Sequence, residues 1–246
     1  PLSQQLGVYD RDFRLLFRYP SDNQRHPGIM TADLADIDGD QQPELYVGFA
    51  DPVGLQRIEL DGSRRWTNRA VPGVLSIATR WLAKPPYLLV TGERGLIVPI
   101  SRSGVAGSPI ALGQRTIHQL VGNPVPQSRP TQFLGMSYTL DGRLIAVGLT
   151  PELQEAWSYG LPGGVYSTPV RTPIWARMLE GSMGQWLLAG PDGSVHVIDE
   201  SGDFFDMFHV GAPIDGLEGF QIDGQGVLLV VSRGTVTAYN VNRPTK

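Results

Sequence analysis

This sequence predicts an all-β fold, a β-propeller of short four-stranded blades, and three observations carry the prediction. Turn formers are dense and evenly spread: 30 Gly and 20 Pro in 246 residues interrupt the chain too often for long helices. Short apolar runs bounded by Gly recur, as strands buried on both faces require. One unit also repeats, consisting of an alternating strand, a polar turn and a second strand carrying an aromatic residue.

The copies can be followed in order. Gly7-Val8-Tyr9, the turn Asp10-Arg11-Asp12 and Leu15-Leu16-Phe17 form the first. Residues 55–60, the turn Asp61-Gly62-Ser63 and Trp66 form the second, and residues 96–100, Ser101-Arg102-Ser103-Gly104 and Pro109-Ile110 a weaker third. Residues 144–148 lead to Trp157 in the fourth. Residues 195–199, Glu200-Ser201-Gly202-Asp203 and Phe208 make the fifth. The sixth, residues 236–241, has no turn and strand after it. Further β candidates lie between the copies, among them residues 87–90, 185–189 and 226–231. Adjacent copies stand about 41 to 51 residues apart, the range of a four-stranded blade. The expectation is a single propeller domain over residues 1–246 with about five blades, or part of a larger ring. Closure within the chain would have residues 14–19 add the missing strand of the last blade.

The most chemically specific stretch is Asp36-Ile37-Asp38-Gly39-Asp40, with Glu44 eight residues after Asp36. Carboxylates at alternate positions of a tight loop suit a hard, oxygen-liganded cation, and Gly39 permits the sharp turn between them. The expected ligands are Asp36, Asp38, Asp40, the carbonyl of Gln42, and Glu44, with calcium as the ion. The loop is shorter than an EF-hand loop, and Leu45-Tyr46-Val47 after it reads as a strand, so the site would sit on a β-hairpin. Asp-Gly and Gly-Asp are equally ordinary hairpin-turn chemistry without metal. Without a cation, four carboxylates so close together repel one another. Both readings stand at this point, and in either the loop is structural rather than catalytic.

Composition narrows the partners. The net charge is −4 with no Lys/Arg block, a poor footprint for nucleic acid or an anionic membrane surface. There is no Cys, which excludes disulfides and thiolate chemistry and leans faintly towards an extracytoplasmic setting. No apolar run is long enough to span a bilayer as a helix. The first residues are Pro1-Leu2-Ser3, a start consistent with processing or excision.

Catalytic motifs are scarce. His26, His118, His196 and His209 show no metal-ligand spacing, and His196 sits in an alternating strand, facing away from Val195 and Val197. No nucleophile elbow, phosphate loop or dinucleotide fingerprint is present. Asp192, Asp199 and Asp215 occupy turn contexts in which capping is the ordinary role. Within Phe204-Phe205-Asp206-Met207-Phe208, alternation places half of the side chains in the core.

Two repeat families resemble parts of this chain. Residues 36–44 resemble the FG-GAP/VCBS calcium-loop repeat over one blade, with Gln41 where that family often has Gly. The recurring strand, Asp-Gly or Ser-Gly turn and Trp resemble the PQQ-like (quinoprotein-like) propeller repeat. The resemblance is best over residues 160–217, which include Ser167-Thr168-Pro169-Val170 and Leu188-Ala189-Gly190-Pro191-Asp192-Gly193. Trp66 and Trp157 look like that family's blade-locking tryptophans, whereas Phe17 and Phe208 depart from it. The resemblance implies a non-catalytic binding or scaffold propeller outside the cytoplasm, periplasmic or secreted. Its partner would be a protein or larger assembly, with a glycan as a further possibility. The alternative is a glycan-active hydrolase or lyase on the same scaffold, using acidic residues at a central channel.

Overall fold

The structure, a computed structural model, describes residues 3–21, 26–50, 52–80, 86–123, 131–163, 172–178 and 184–241. Among these, every regular element is a strand. The chain divides into two compact units, Pro1–Leu120 and Val121–Lys246.

In the first unit, β1 (Leu6–Tyr9) and β2 (Leu15–Tyr19) form a two-stranded hairpin. A four-stranded sheet follows, of β3 (Ile29–Ala35), β4 (Glu44–Phe49), β5 (Leu55–Ile58) and β6 (Arg64–Asn68). Next is a three-stranded sheet of β7 (Val74–Arg80), β8 (Tyr87–Gly92) and β9 (Ile97–Ile100). Isolated bridges from Ile97 to Ile110 and from Ile100 to Ala106 extend its outer edge.

The next sheet begins at the boundary between the units, with β10 (Gln119–Gly122), β11 (Phe133–Tyr138), β12 (Leu144–Leu149) and β13 (Glu155–Gly160). After it come β14 (Ile174–Ala176), β15 (Gln185–Ala189), β16 (Ser194–Asp199) and β17 (Phe204–His209), and then β18 (Gly216–Ile222), β19 (Gln225–Ser232) and β20 (Thr235–Val241). In each sheet the strands lie in chain order.

Within each unit, consecutive sheets stack face to face. In the first unit, Leu45, Val47 and Phe49 of β4 pack towards Phe17 and Val8 of the hairpin, while Tyr46 between them packs towards Val74, Leu88 and Val90. In the second, Trp186 and Leu188 of β15 join Leu134, Met136 and Ala146, and Leu187 joins Leu228 and Val230. A strand covered on both faces needs apolar residues at every position, which is why these segments read as continuous runs. β19 departs from that expectation, since its burial alternates and β20 beyond it is largely exposed.

One turn closes most of the outer hairpins. The first residue's N–H bonds the carbonyl four residues on, and the fourth residue's N–H bonds back to the first carbonyl, as at Glu59–Ser63, Ser101–Val105, Thr150–Gln154 and Asp199–Asp203, and also in the inner hairpin at Thr139–Arg143. This is a type I turn followed by a left-handed residue, normally Gly. Asp10–Arg14 makes the same turn with Phe13 at that position, at φ 59° and 88% exposed. A left-handed conformation costs a side-chain-bearing residue about 1–2 kcal/mol, and the unfolded-chain entropy of Gly takes back roughly 0.5–1. Phe13→Gly is therefore expected to stabilise the chain by about 0.5–1 kcal/mol in urea unfolding.

The outer strand pairs share a β-bulge as well. Register slips by one residue between Val8/Tyr9, Arg57/Ile58, Gly148/Leu149 and Val197/Ile198. The slip leaves Leu16, Arg65, Ala156 and Phe205 as the extra residues on the facing strands. The residue after each bulge is Phe17, Trp66, Trp157 and Asp206 respectively. Phe208 is thus not the counterpart of the tryptophans: three residues after the turn, where Trp66 and Trp157 stand, this copy has Asp206, two residues before Phe208. Phe208 packs instead against Tyr239, ring centroids 5.0 Å apart.

Residues 14–19 do not add a strand to the last sheet. β2 pairs with β1, and β18–β20 has three strands among the described residues. The hairpin buries its apolar side on β3–β6 instead. Ser167-Thr168-Pro169-Val170 lies outside the described residues.

Candidate functional site

The acidic loop joins β3 to β4, and its local geometry follows from its sequence. Gly39 sits at φ 82° and Gln41 at φ 70°, so the chain turns back sharply twice. Asp36 accepts the backbone N–H groups of Gly39 and Gln41, at 2.7 and 2.9 Å. Asp40 accepts that of Gln42 at 2.8 Å. These contacts bring one carboxylate oxygen from each of Asp36, Asp38, Asp40 and Glu44 within 4.8 Å of one another. Gln42 enters the hydrogen bonding through its N–H.

A cation already reaches this loop from within the chain. Arg57 Nη2 lies 2.7 Å from Asp38 Oδ2 and 3.2 Å from Glu44 Oε1. Its Nε is 3.2 Å from Glu59 Oε1, a contact of charges without an aligned N–H. Glu44 is 3% exposed, accepts the Tyr46 hydroxyl at 2.8 Å, and has its carboxyl pushed up by burial. The hydrogen bond from Arg57 holds the Asp38 carboxyl below the usual range. Asp38 Oδ1 is buried with no hydrogen-bond partner.

Register explains why Arg57 arrives there. Asp33 pairs with Tyr46, Tyr46 with Arg57 and Arg57 with Trp66, so one row crosses all four strands on the face turned towards β7–β9. The Tyr46 and Trp66 rings are 6.0 Å apart, and Trp66 Nε1 donates to the Arg102 carbonyl at 3.1 Å. The corresponding rows elsewhere are apolar inside the outer strand: Leu134 and Gly148 in one sheet, Ile174, Leu187 and Val197 in the other. A carboxylate, a phenol and a guanidinium on the buried face of β3–β6 are a departure specific to that sheet.

The sequence pointed to the carboxylates but not to Arg57. The available signal was an arginine among Leu55, Ile58 and Leu60, a strand context in which a charge needs a counterion. Asp33 was missed as well. Burial raises its carboxyl from 3.8 to about 6. A raised carboxyl favours the folded state while it is protonated, so its contribution is complete below pH 3.8 and is lost as pH climbs through about 6. Asp33→Asn is expected to flatten this part of the stability profile and to stabilise the chain at neutral pH by up to about 2 kcal/mol, allowing for partial exposure. Urea unfolding across pH 4–7 reads both.

In the second unit, a polar chain runs through Asp192, Ser194, His196 and Tyr159. Ser194 Oγ contacts Asp192 Oδ1 and lies 2.7 Å from His196 Nε2, and His196 Nδ1 is 2.8 Å from the Tyr159 hydroxyl. His196 is buried, which lowers the pKa of its imidazole, and it faces away from Val195 and Val197 as the alternation required. Ser194 is fully buried, so the serine–histidine contact is a structural one. His209 Nδ1 stands 3.8 Å from Asp192 Oδ2, His26 bonds the Gln4 carbonyl, and His118 is half-buried in the first unit. Asp192 and Asp199 each accept the backbone N–H two residues on, the capping role expected of them, whereas Asp215 accepts that of Arg233, eighteen residues away in the β19–β20 turn. In β17, Phe205 and Phe208 pack in the core while Phe204 and Met207 are exposed.

The outer-strand tryptophans have a shared docking mode. Trp66 lies over Gly104 and donates to Arg102, and Trp157 lies over Gly202 and donates to the Glu200 carbonyl at 3.0 Å. Each indole thus reads the Gly of the turn in the next sheet and the carbonyl two residues before it.

No family model and no curated protein matches the chain. Solved structures do. BBS1N, crystallised in complex with ARL6DN, matches with a TM-score of 0.65 at 17% identity over 99% of this chain and 73% of its own. BamB from Moraxella catarrhalis matches at 0.57 and 13% over 99% and 78%. The WD40 domain of Toxoplasma gondii coronin matches at 0.62 and 13% over 86% and 55%. The fold is that of the β-propellers.

Proposed function

We propose that this chain is a non-catalytic β-propeller module that binds a protein partner or a larger assembly, with calcium held by the acidic loop as a structural ion. The observation that supports the binding reading is the likeness, across nearly the whole chain, to a propeller crystallised in complex with another protein. In this reading β3–β6, β7–β9, β10–β13, β14–β17 and β18–β20 are five successive blades, and β1–β2 is the outer half of one before them.

For calcium, the support is the gathering of four carboxylate oxygens and the lone pairs that each keeps beyond its turn contacts. Asp36, Asp38, Asp40 and Glu44, with the carbonyl of Gln42, are the proposed ligands. A structural calcium ion on this loop would suit calcium-rich surroundings, in keeping with an extracytoplasmic setting, periplasmic or secreted.

Affinity capture with the tagged chain from its own source, followed by size-exclusion chromatography, tests the binding reading. A partner co-eluting in fixed ratio is expected, and a chain that elutes alone would overturn it. The hydrolase or lyase alternative, with acidic residues at a central channel, requires turnover of polysaccharides by the chain.

A further inference from the structure

We propose that the cavity beside Arg57 and Trp66 is a docking site for an acidic peptide segment of a protein partner, an inference that rests on the binding-module reading and specifies its surface. The cavity measures about 450 Å³ and is lined by Asp38, Arg57, Arg65, Trp66, Arg102 and Ser103, all in the first unit. Its charge runs against that of the molecule. The chain carries a net −4, yet three arginines line this cavity against a single aspartate.

The three arginines are not equivalent. Arg57 is buried and already paired with Asp38 and Glu44. Arg65 and Arg102 are exposed and make no ion pair with any described residue. Both are placed by the fold. Arg65 is the extra residue of the bulge opposite Arg57, and Arg102 lies in the turn after β9, whose carbonyl is tied to both Arg57 Nη1 and Trp66 Nε1. Two unpaired guanidinium forks at one cavity are matched by a carboxylate, which each can hold through paired N–H groups.

The other wall selects a peptide over a free anion. Asp38, its side chain 25% exposed, stands on that wall, and its carboxylate repels a compact dianion such as phosphate. An extended acidic segment suits both walls, with its carboxylate on Arg65 and Arg102 and its uncharged backbone towards Asp38. The half-buried Trp66 face supplies apolar contact for the stem of a glutamate side chain.

Fluorescence anisotropy with a fluorescein-labelled hexa-glutamate peptide tests the assignment. The whole chain is compared with Arg65→Gln/Arg102→Gln and with the control Arg11→Gln/Arg94→Gln, which removes the same charge from exposed positions elsewhere in the unit. Saturable binding that weakens with salt, falls roughly tenfold or more in the first variant and persists in the control is expected. No saturable binding, equal loss in both variants, or displacement of the peptide by an equal concentration of inorganic phosphate would each overturn the proposal. Unfolding midpoints confirm that both variants fold. If a partner co-elutes in the capture experiment while the peptide fails to bind, the cavity assignment falls and the binding reading stands. If capture fails, the binding reading falls whatever the peptide does.

Discussion

Replacing Arg57 by methionine is expected to lower the unfolding free energy by about 3–5 kcal/mol, read from urea titration. Methionine keeps the apolar stem but removes the guanidinium from a position where the side chain is 9% exposed. Glu44, 3% exposed, and Asp38 then face each other without a counterion. Leaving a buried charge uncompensated is the costly half of any buried ion pair, far costlier than replacing the pair as a whole. Arg57→Met/Glu44→Gln should therefore lose less than Arg57→Met alone.

The same variant sharpens the calcium question. In the native chain Arg57 would compete with a bound cation for Asp38 and Glu44. With Arg57 gone, calcium is expected to recover part of the lost stability, about 2.7 kcal/mol at a hundredfold excess over the dissociation constant. A chelator should abolish the recovery, and so should Asp36→Ala, which removes a carboxylate that Arg57 does not touch. Absence of any recovery would mean that Arg57 is the cation this loop was built for, and the loop would then be a turn.

The second large effect is expected at Trp157. Trp157→Ala should cost about 3–5 kcal/mol, since it empties a site between two sheets and strips donors from Thr131 Oγ1 and the Glu200 carbonyl. Gly148 lies directly opposite, and a Cβ there would run into the indole ring. Gly148→Ala is expected to cost a further 1–3 kcal/mol or so in the native background by over-packing, and much less once Trp157 is alanine. A double-mutant cycle in urea unfolding measures the difference. Additive losses would show that the indole does not rest on Gly148.

Particular residues show how far the sequence could be read. The strands were legible because burial on both faces leaves an unmistakable local mark, as in Leu45-Tyr46-Val47 or Leu187-Leu188. The turns were legible because a left-handed residue at the fourth position nearly always demands Gly. Phe13 and Leu153, at φ 59° and 60°, are the positions where that rule fails. The acidic loop was legible as a cluster, since all its carboxylates lie within one short segment.

What crosses between strands was not. A single bulged residue moves every later side chain to a different partner, and a bulge leaves no clear mark in sequence. In the fifth copy the place held by Trp66 and Trp157 falls to an aspartate, Asp206, so no aromatic residue marks it, and Phe208 two residues on packs against Tyr239 instead. Residues 14–19 also read as a strand awaiting a distant sheet, although β2 pairs with its neighbour β1.

The sequence by itself determined the β architecture, the turns and the position of the carboxylates, because each depends on residues within a few positions of one another. Only the tertiary structure decided that Arg57 enters the loop, that Asp33, Tyr46, Arg57 and Trp66 form one row, and that Arg65 and Arg102 share a cavity. Those pairings depend on register and on the stacking of successive sheets, and both are set by the burial of side chains far apart along the chain.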